Sequence, residues 1–199
     1  EHADASLGMT PQAYRDGGDP ALTIEAGTFE CSLGVLLVGV TKRGVCAILL
    51  GDDANELAED LSHRFPNATV QLGDPSFAQR LHVVVAIVDD PSLGAELPLD
   101  LRGTAFQRRV WQALRKIPPG QIRSYSEVAE AIGQPGAARA VARACAANPI
   151  AIAVPCHRVV PANSRRGGRA IDLAQPTGGY RWGVDRKLAL LRSEANPDQ

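Results

Sequence analysis

The sequence predicts an α+β fold in two parts, a small sheet-and-helix part followed by a mainly helical part with a helix-turn-helix. Two apolar runs, residues 34–40 and 44–50, flank Thr41-Lys42-Arg43, a pattern typical of a β-hairpin. From Thr104 onward, apolar residues recur at helical spacing behind capping residues. Two of these helices meet at a turn around Gly133, which indicates the helix-turn-helix.

The first part contains two further predicted helices. Asp53 is placed to cap a helix that runs through Phe65. Residues 74–88 form a second helical stretch, although its β-branched run of three valines favours a strand. A linker at residues 91–98 then leads into the second part. The chain therefore divides into a tail, an N-terminal subdomain and a C-terminal subdomain: residues 1–20, 21–98 and 99–199.

The C-terminal subdomain is predicted to open with an amphipathic helix that Thr104 caps and Pro118-Pro119-Gly120 ends. Trp111 lies beside the apolar stripe of this helix and is expected in the core. The stripe consists of Phe106, Val110, Leu114 and Ile117.

The helix-turn-helix begins with Ser124 and Glu127, which have the spacing of a capping box. Its second helix, residues 136–147, is built almost entirely of small side chains, which let a helix backbone approach another surface closely. Arg139 and Arg143 lie on one face of this helix and can reach phosphates or a nucleic-acid groove. Tight packing against a neighbouring helix is the alternative explanation of the small side chains.

Composition favours a cytoplasmic protein without a membrane anchor. No apolar segment is long enough to span a bilayer, and the chain lacks the basic-then-apolar start of a secretion signal. The cysteines have no close-spaced pairs of the kind that bind zinc, so no metal site is expected. The four cysteines are Cys31, Cys46, Cys145 and Cys156.

Charge is distributed very unevenly along the chain. Residues 1–100 carry five Lys/Arg and sixteen Asp/Glu, a net charge of −11, whereas residues 101–199 carry sixteen and six, a net charge of +10. A basic half beside an acidic half is typical of a DNA-binding module next to a supporting one. Two ordinary domains whose charges balance for solubility would give the same counts.

The strongest chemical signal is Pro155-Cys156-His157-Arg158-Val159, which places a thiol next to an imidazole. The apolar run at residues 149–154 is predicted to be a buried strand that delivers Cys156 to a cleft. Thiolate is the reactive form, and a neighbouring base makes it available near neutral pH. Because consecutive side chains of a strand point to opposite faces, a bridging water or a turn has to connect Cys156 with His157.

An inert, packed cysteine is the alternative explanation of Cys156, since free cysteine is among the most buried residue types. A base from elsewhere in the chain is another possibility that the sequence leaves open. The other histidines are His2, His63 and His82.

These residues and their neighbours resemble the active-site signature of the O6-alkylguanine-DNA alkyltransferases. Asn148-Pro149 precedes the Pro-Cys-His-Arg-Val segment, and further family motifs occur in the expected order from about residue 103 to residue 194. The motifs are Phe106-Gln107-Arg108-Arg109-Val110-Trp111, Ser124-Tyr125, Arg139-Ala140-Val141 and Tyr180-Arg181-Trp182-Gly183-Val184. The resemblance implies a ribonuclease H-like N-terminal subdomain and a helix-turn-helix that enters the minor groove of DNA.

The activity that the resemblance implies is direct reversal of DNA alkylation. The damaged nucleotide is flipped out of the duplex, and its alkyl group passes from O6 of guanine, or from O4 of thymine, to Cys156. The product is a stable thioether, so each molecule acts once. Double-stranded DNA is the expected partner, no cofactor is needed, and the protein is expected to be a monomer.

The resemblance also assigns roles to individual residues. His157 acts on Cys156 through a water, Glu194 orients His157, and Asn148 ties the cysteine segment to the helix-turn-helix. Without the resemblance, Glu194 would be interpreted as a solvated charge at a helix end. The substrate-binding and DNA-binding residues are Tyr125, Ser126, Arg139, Val159, Tyr180 and Lys187, of which Arg139 matches the arginine finger and Tyr125 the tyrosine that pushes against the backbone phosphate.

The chain departs from the family pattern in two places. Arg181 stands where some members have a small hydroxyl residue that contacts the base. Residues 163–175 form a longer, arginine-rich connection, which is expected to be either a mobile basic loop near the pocket or an inert insertion. In the tail, residues 5–15 resemble the end of an AraC-type helix-turn-helix domain, so the chain is expected to be a fragment of an Ada-type regulator. A natural or cloned tail is the alternative.

Two further functions are alternatives to repair. One is the promoter-contacting part of an Ada-type transcriptional regulator, with RNA polymerase as a partner. The other is a non-catalytic sensor that flips the base and recruits other factors. Such sensors lack the cysteine, so Cys156 argues against a sensor, and this sequence does not contain the zinc domain that Ada proteins use for switching.

Overall fold

The computed structural model describes residues 22–73, 75–89, 97–166, 170–171 and 177–195. A four-stranded mixed sheet forms the base of the first part. Its strands are β1 (Thr23–Cys31), β2 (Gly34–Thr41), β3 (Gly44–Gly51) and β4 (Thr69–Leu72), in the spatial order β3-β2-β1-β4. Strand β2 is antiparallel to both of its neighbours, β1 and β3, and β4 is parallel to β1. The predicted hairpin of β2 and β3 is confirmed, whereas β1 and β4 are not among the predicted strands.

Helices follow β3 and β4 in the chain. The helix predicted after Asp53 is confirmed as α1 (Ala54–Arg64), and the Asp53 side chain accepts hydrogen bonds from two backbone N–H groups of its first turn. The single helix predicted over residues 74–88 is wrong, because α2 (Pro75–Arg80) and α3 (His82–Asp89) are separated at Leu81. The three valines of that stretch are helical, and burial of every third or fourth residue of α3 overrides their strand propensity.

The described residues of the second part are mainly helical. Its helices are α4 (Ala105–Leu114), α5 (Tyr125–Ala131), α6 (Ala138–Ala146) and α7 (Val184–Ala195). The caps predicted at Thr104 and Ser124 are confirmed, and both belong to complete capping boxes. α4 ends at Leu114, one turn earlier than predicted, although Ile117 is still buried in the turn that follows. Helices α5 and α6 form the predicted helix-turn-helix, with Gly133 at a φ of 71° between them.

The strand predicted at residues 149–154 is wrong. Only Ile150 forms a bridge, to Ile48 of β3, and residues 151–153 form a turn. Ile152 has a φ of 66°, which is unusual for a β-branched residue and is incompatible with a continuous strand. Cys156 consequently lies at the start of a 3₁₀ helix, Cys156–Arg158, and not at the end of a strand. The strand β6 (Val159–Val160) follows and pairs in parallel with β5 (Arg123–Ser124).

The second part docks along the outer edge of β3. The N–H of Val45 donates to the carbonyl of Pro98, and the N–H of Ile48 donates to the carbonyl of Pro149. Gly44 has a φ of 135°, and a Cβ at this position would collide with the Pro98 carbonyl. Buried side chains from the sheet, from α4 and α6, and from the segment around Cys156 belong to one continuous apolar core.

Some predictions concern residues outside the described ranges. The tail, residues 1–20, is one of them, as is most of the linker at residues 91–98. Within the longer connection at residues 163–175, the described residues include two short antiparallel strands, β7 (Arg165–Arg166) and β8 (Ala170–Ile171). Among the residues that the structure describes, no helix is long and apolar enough to cross a membrane.

The first prediction concerns Trp111, which is buried in the core as expected from the sequence. Its Nε1 donates to the carbonyl of Ala144 in the last turn of α6, where carbonyls lack partners within the helix. Trp111→Phe removes this donor, so we expect the free energy of unfolding in urea to fall by about 1–3 kcal/mol. Trp182→Phe is the control, because Nε1 of Trp182 has no hydrogen-bonding partner among the described residues. Equal losses in the two variants would contradict the assignment.

Candidate active site

Cys156 lies in the wall of a cavity of about 370 Å³. The helix-turn-helix forms one side of this cavity through Tyr125 of α5 and Ala142, Cys145 and Ala146 of α6. The segment before α7 forms the other side through Gly179, Tyr180 and Arg181. The small side chains of α6 therefore leave space in front of the Cys156 thiol, whose residue is 4% exposed.

Asn148 holds the segment that carries Cys156. Its Nδ2 lies 2.9 Å from the carbonyl of Val154, 3.2 Å from the carbonyl of Ile150 and 3.3 Å from the Cys156 Sγ. Its Oδ1 accepts a hydrogen bond from the N–H of Ile150. One buried amide therefore replaces the hydrogen bonds that a strand ladder would have supplied, and it fixes the sulfur relative to the end of α6.

Burial raises the pKa of the Cys156 thiol. The hydrogen bond from Asn148 and the positive charge of Lys187 lower it, but they do not outweigh burial. The resting thiol therefore keeps its proton near neutral pH. A base has to accept that proton before the sulfur can act as a nucleophile.

The structure brings His157 and Glu194 together, 37 residues apart in the sequence. Nε2 of His157 lies 2.8 Å from Oε1 of Glu194, and both side chains are almost fully buried. Burial lowers the pKa of His157 below its ordinary value, although Glu194 acts in the opposite direction. A neutral imidazole whose Nε2–H donates to a carboxylate has an unprotonated Nδ1, which is the atom that can accept a proton.

Arg158 completes the cluster around Glu194. Its Nη2 donates to Oε1 of Glu194 at 2.7 Å, its Nε donates to the same carboxylate at 3.0 Å, and its Nη1 donates to the carbonyl of Ile117. The N–H of Gly120 also donates to Glu194. Burial alone would raise the pKa of Glu194, but His157 and Arg158 lower it to about 2. Glu194 is therefore a stable carboxylate in the protein interior.

Two buried polar atoms belong to neighbouring aromatic rings beside the cavity. Nδ1 of His157 and the hydroxyl of Tyr180 have no hydrogen-bonding partner among the described residues. The two rings are edge to face, with centroids 6.4 Å apart, and Tyr180 also lines the cavity with Cys156. Buried polar groups are normally satisfied, and a water needs two or more such partners. This arrangement fits a water that connects Nδ1 with the thiol.

Lys187 and Val159 lie behind the cavity and are not among the described residues that line it. Nζ of Lys187 is fully buried and donates to the carbonyl of Val159 at 2.7 Å. Burial lowers the pKa of Lys187 to about 8, while Cys156 and Cys145 raise it. Its cation therefore favours a thiolate at Cys156 from inside the protein.

The predicted DNA-contacting residues occupy an exposed face. Arg139 and Arg143 of α6 and Ser126 of α5 are exposed, and Tyr125 is half-buried at the cavity wall. Burial raises the pKa of Tyr125 to about 12, so its hydroxyl remains a donor at neutral pH. The mouth of the cavity thus opens beside the slim face of the helix-turn-helix.

Comparison with known proteins identifies the family. Residues 105–196 match the family model "6-O-methylguanine DNA methyltransferase, DNA binding domain". The crystal structure of the Mycobacterium tuberculosis O6-methylguanine methyltransferase is 34% identical in sequence, with a TM-score of 0.65, and the match covers 88% of this chain and 95% of that one. The chain belongs to the O6-methylguanine DNA methyltransferase family. The α+β fold class expected from the sequence is thereby confirmed.

Two other relatives extend the comparison. The structure of the M. tuberculosis protein in complex with DNA matches 87% of this chain and 93% of that one, with 34% identity and a TM-score of 0.63. The bifunctional transcriptional activator/DNA repair enzyme Ada of Escherichia coli is 48% identical over 197 residues, which are 99% of this chain and 52% of that protein. The chain thus spans about half the length of the Ada proteins that it matches.

Sequence reasoning within the family missed three residues of this site. Arg158 lies in the Pro-Cys-His-Arg-Val segment, but no role was assigned to it, although an arginine beside a predicted buried His-Glu pair is a signal for a compensating cation. Cys145 and Arg181 line the cavity, and neither was assigned to it. The helical spacing of Cys145 with Ala142 indicates a shared face, whereas nothing local predicts the orientation of Arg181.

The second prediction concerns the pH dependence of stability. Glu194 has a pKa of about 2 in the folded protein and 4.5 as its ordinary value. Its contribution to stability is therefore fully present above about pH 5 and is lost as the pH falls towards 2. We expect the difference in free energy of unfolding between the wild type and Glu194→Gln to shrink by roughly 2–3 kcal/mol over that range. Urea denaturation at several pH values measures it, and a difference that does not change with pH would refute the charged network.

Proposed function

We propose that this chain is a methylated-DNA–protein-cysteine methyltransferase that repairs O6-methylguanine in DNA by direct reversal. The observation that carries the proposal is a cavity-lining thiol with an amide donor beside it and a buried imidazole–carboxylate pair behind it. The first is Cys156, and the others are Asn148, His157 and Glu194. Family membership supports the same activity, and so does the DNA complex of a homologous structure.

The reaction is a displacement at a saturated carbon. The thiol proton of Cys156 passes through a water to Nδ1 of His157, and Glu194 stabilises the imidazolium that forms. The sulfur attacks the methyl carbon, a carbon–sulfur bond forms, and the carbon–O6 bond breaks with its electron pair retained by O6. His157 then gives up this proton, through the same water, to the guanine anion that leaves, so the products are neutral guanine and the methyl thioether of Cys156. The same displacement applies to methyl on O4 of thymine.

Charge in the site favours this step. Burial raises the pKa of Cys156, so the thiolate forms only when His157 accepts the thiol proton through the water. The cation of Lys187 and the amide of Asn148 both stabilise the developing negative charge on sulfur. Tyr125 at the opposite wall supplies a protonated hydroxyl for the leaving base.

The base has to leave the duplex to reach Cys156. The methyl group of O6-methylguanine lies inside the stack, and the thiol lies in a cavity wall, so only an everted nucleotide brings the two together. The slim α6 presents Arg139 on its exposed face, where it takes the place of the flipped nucleotide while the helix lies in the minor groove. Ser126 of α5 contacts the sugar–phosphate backbone of the DNA.

The product limits each molecule to one reaction. A thioether is neither a good leaving group nor an activated one, so the methyl group stays on Cys156. Methyl transfer is therefore stoichiometric with protein.

A regulatory function is the second candidate. The observation that favours it is the match of nearly the whole chain to two Ada proteins, one of them named as a transcriptional activator. In that case the same DNA-binding face would hold promoter DNA, and RNA polymerase would be the partner. A non-catalytic sensor is disfavoured because the thiol is present and supported by the network described above.

The third prediction is a mass measurement on the intact protein. Incubation with a duplex that carries O6-methylguanine should add the mass of one methylene to each molecule, and peptide mapping should locate it on Cys156. Cys156→Ser should gain no mass. Cys145→Ser is the matched control, because its thiol lines the same cavity, and it should still be methylated at Cys156. Methylation at Cys145, or more than one turnover per molecule, would rule out the proposal.

The fourth prediction concerns Arg139. Because this side chain acts on the duplex and not on the methyl group, Arg139→Ala should slow methyl transfer from a duplex by roughly 10-fold or more while transfer from the free base O6-methylguanine stays within about twofold. Arg143 is an exposed arginine one turn further along α6. Arg143→Ala should change the rate of methyl transfer from both substrates to the same extent, and its distinct effect should be a weaker salt dependence of the reaction with duplex. Equal slowing of both substrates by Arg139→Ala would count against flipping.

A further inference from the structure

An ion pair joins the wall of the cavity to the N-terminal sheet-and-helix part. Nη2 of Arg181 lies 2.6 Å from Oδ1 of Asp60, which is 121 residues earlier in the chain. Asp60 belongs to α1, and Arg181 lies in the segment before α7 that forms one side of the cavity. The arginine that departs from the family pattern is therefore fixed by a residue outside the active-site subdomain.

Asp60 is held from a second side. Its Oδ2 accepts a hydrogen bond from Nε of Arg64 at 3.1 Å, one turn later in α1. Both carboxylate oxygens are thus engaged, one by each arginine, and the carboxylate has a defined orientation. A side chain with so few free rotamers positions its partner more accurately than a freely rotating surface acid would.

The ion pair is too exposed to be explained by stability alone. The side chains of Arg181 and Asp60 are 37% and 27% exposed, and pairs at this exposure contribute about 0–1 kcal/mol. The main effect of the pair is on the shape of the cavity, because Arg181 follows Tyr180 directly and both line the space in front of Cys156. Without the pair, the long Arg181 side chain and the wall beneath it would have several alternative positions.

We propose that Asp60 is a positioning residue that, through Arg181, fixes the wall of the cavity and restricts it to small alkyl groups. This proposal rests on the proposed function and adds substrate selection to it. The N-terminal part then helps to decide which alkylated guanines react, although none of its described residues lines the cavity. A fixed wall discriminates by size, since one extra methylene in a shaped pocket is worth about 10-fold or more in rate.

The experiment compares two free bases, O6-methylguanine and O6-benzylguanine, as alkyl donors to the whole chain. Alkylation of Cys156 is followed by mass spectrometry, and the readout is the ratio of the two second-order rate constants. This ratio does not depend on the fraction of active protein, so a loss of folded material in a variant cancels. Asp60→Asn and Arg181→Gln should each raise the benzyl-to-methyl ratio by about 10-fold.

Three further variants isolate the pair. The double variant Asp60→Asn/Arg181→Gln should show no more effect than either single change, because both remove the same interaction. Asp60→Glu, which keeps the charge, should restore most of the wild-type ratio. Arg64→Gln should raise the ratio less than Asp60→Asn does, since it frees the Asp60 carboxylate on one side but leaves the pair with Arg181 in place.

Asp52→Asn is the matched control for loosening the two parts. Asp52 forms an ion pair with Arg186 of α7 across the same junction, and Arg186 keeps its hydrogen bonds to the carbonyls of Leu33 and Trp182 when Asp52 is neutralised. Its ratio should equal that of the wild type. A ratio within twofold of the wild type in Asp60→Asn, or an equal rise in Asp52→Asn, would overturn the inference and leave the proposed function intact. If the wild type takes no alkyl group from either base or from a methylated duplex, the proposed function fails and this inference with it.

Discussion

The buried carboxylate of Glu194 is the constraint on which the rest of the site depends. A carboxylate inside a protein is tolerated only when cations and N–H donors surround it, and here two segments of the chain supply them. The 3₁₀ helix provides His157 and Arg158, and the turn after α4 provides the N–H of Gly120. Because Glu194 is on α7, the charge ties the last helix to the segment next to the nucleophile. Removal of Arg158 would leave the charge of Glu194 uncompensated in the interior, so the geometry around the thiol is fixed by electrostatics as well as by packing.

The thiol itself illustrates a balance between burial and reactivity. Burial keeps Cys156 protonated and shielded. Asn148, Lys187 and the free nitrogen of His157 each favour the thiolate, but none is sufficient alone. The resting thiol is therefore protonated, and a thiolate forms only when a base accepts its proton.

Local signals predicted the elements that depend on local interactions. The caps at Asp53, Thr104 and Ser124 and the hairpin of β2 and β3 involve residues a few positions apart, and all are present. The run at residues 149–154 does not form the predicted strand, because a buried turn has the same apolar sequence pattern as a buried strand. The amide of Asn148, which satisfies that turn, cannot be recognised from hydrophobicity. Strand β4 carries no pattern at all, since its four residues are exposed.

Long-range pairs were accessible only through the family resemblance. The contact between His157 and Glu194 spans 37 residues, and the resemblance pointed to it. The pair of Asp60 with Arg181 spans 121 residues and involves a position where the family pattern is broken, so neither local chemistry nor resemblance could predict it. The pairing along the outer edge of β3 was equally hard to predict, because its partners Pro98 and Pro149 lie far along the chain from β3. Because the segment that leads to Cys156 is hydrogen-bonded to this edge at Pro149, the sheet fixes the position of that segment. The two parts of the molecule are therefore not interchangeable modules. A sheet taken from another family member would have to form the same hydrogen bonds before Cys156 could take its position in the cavity wall.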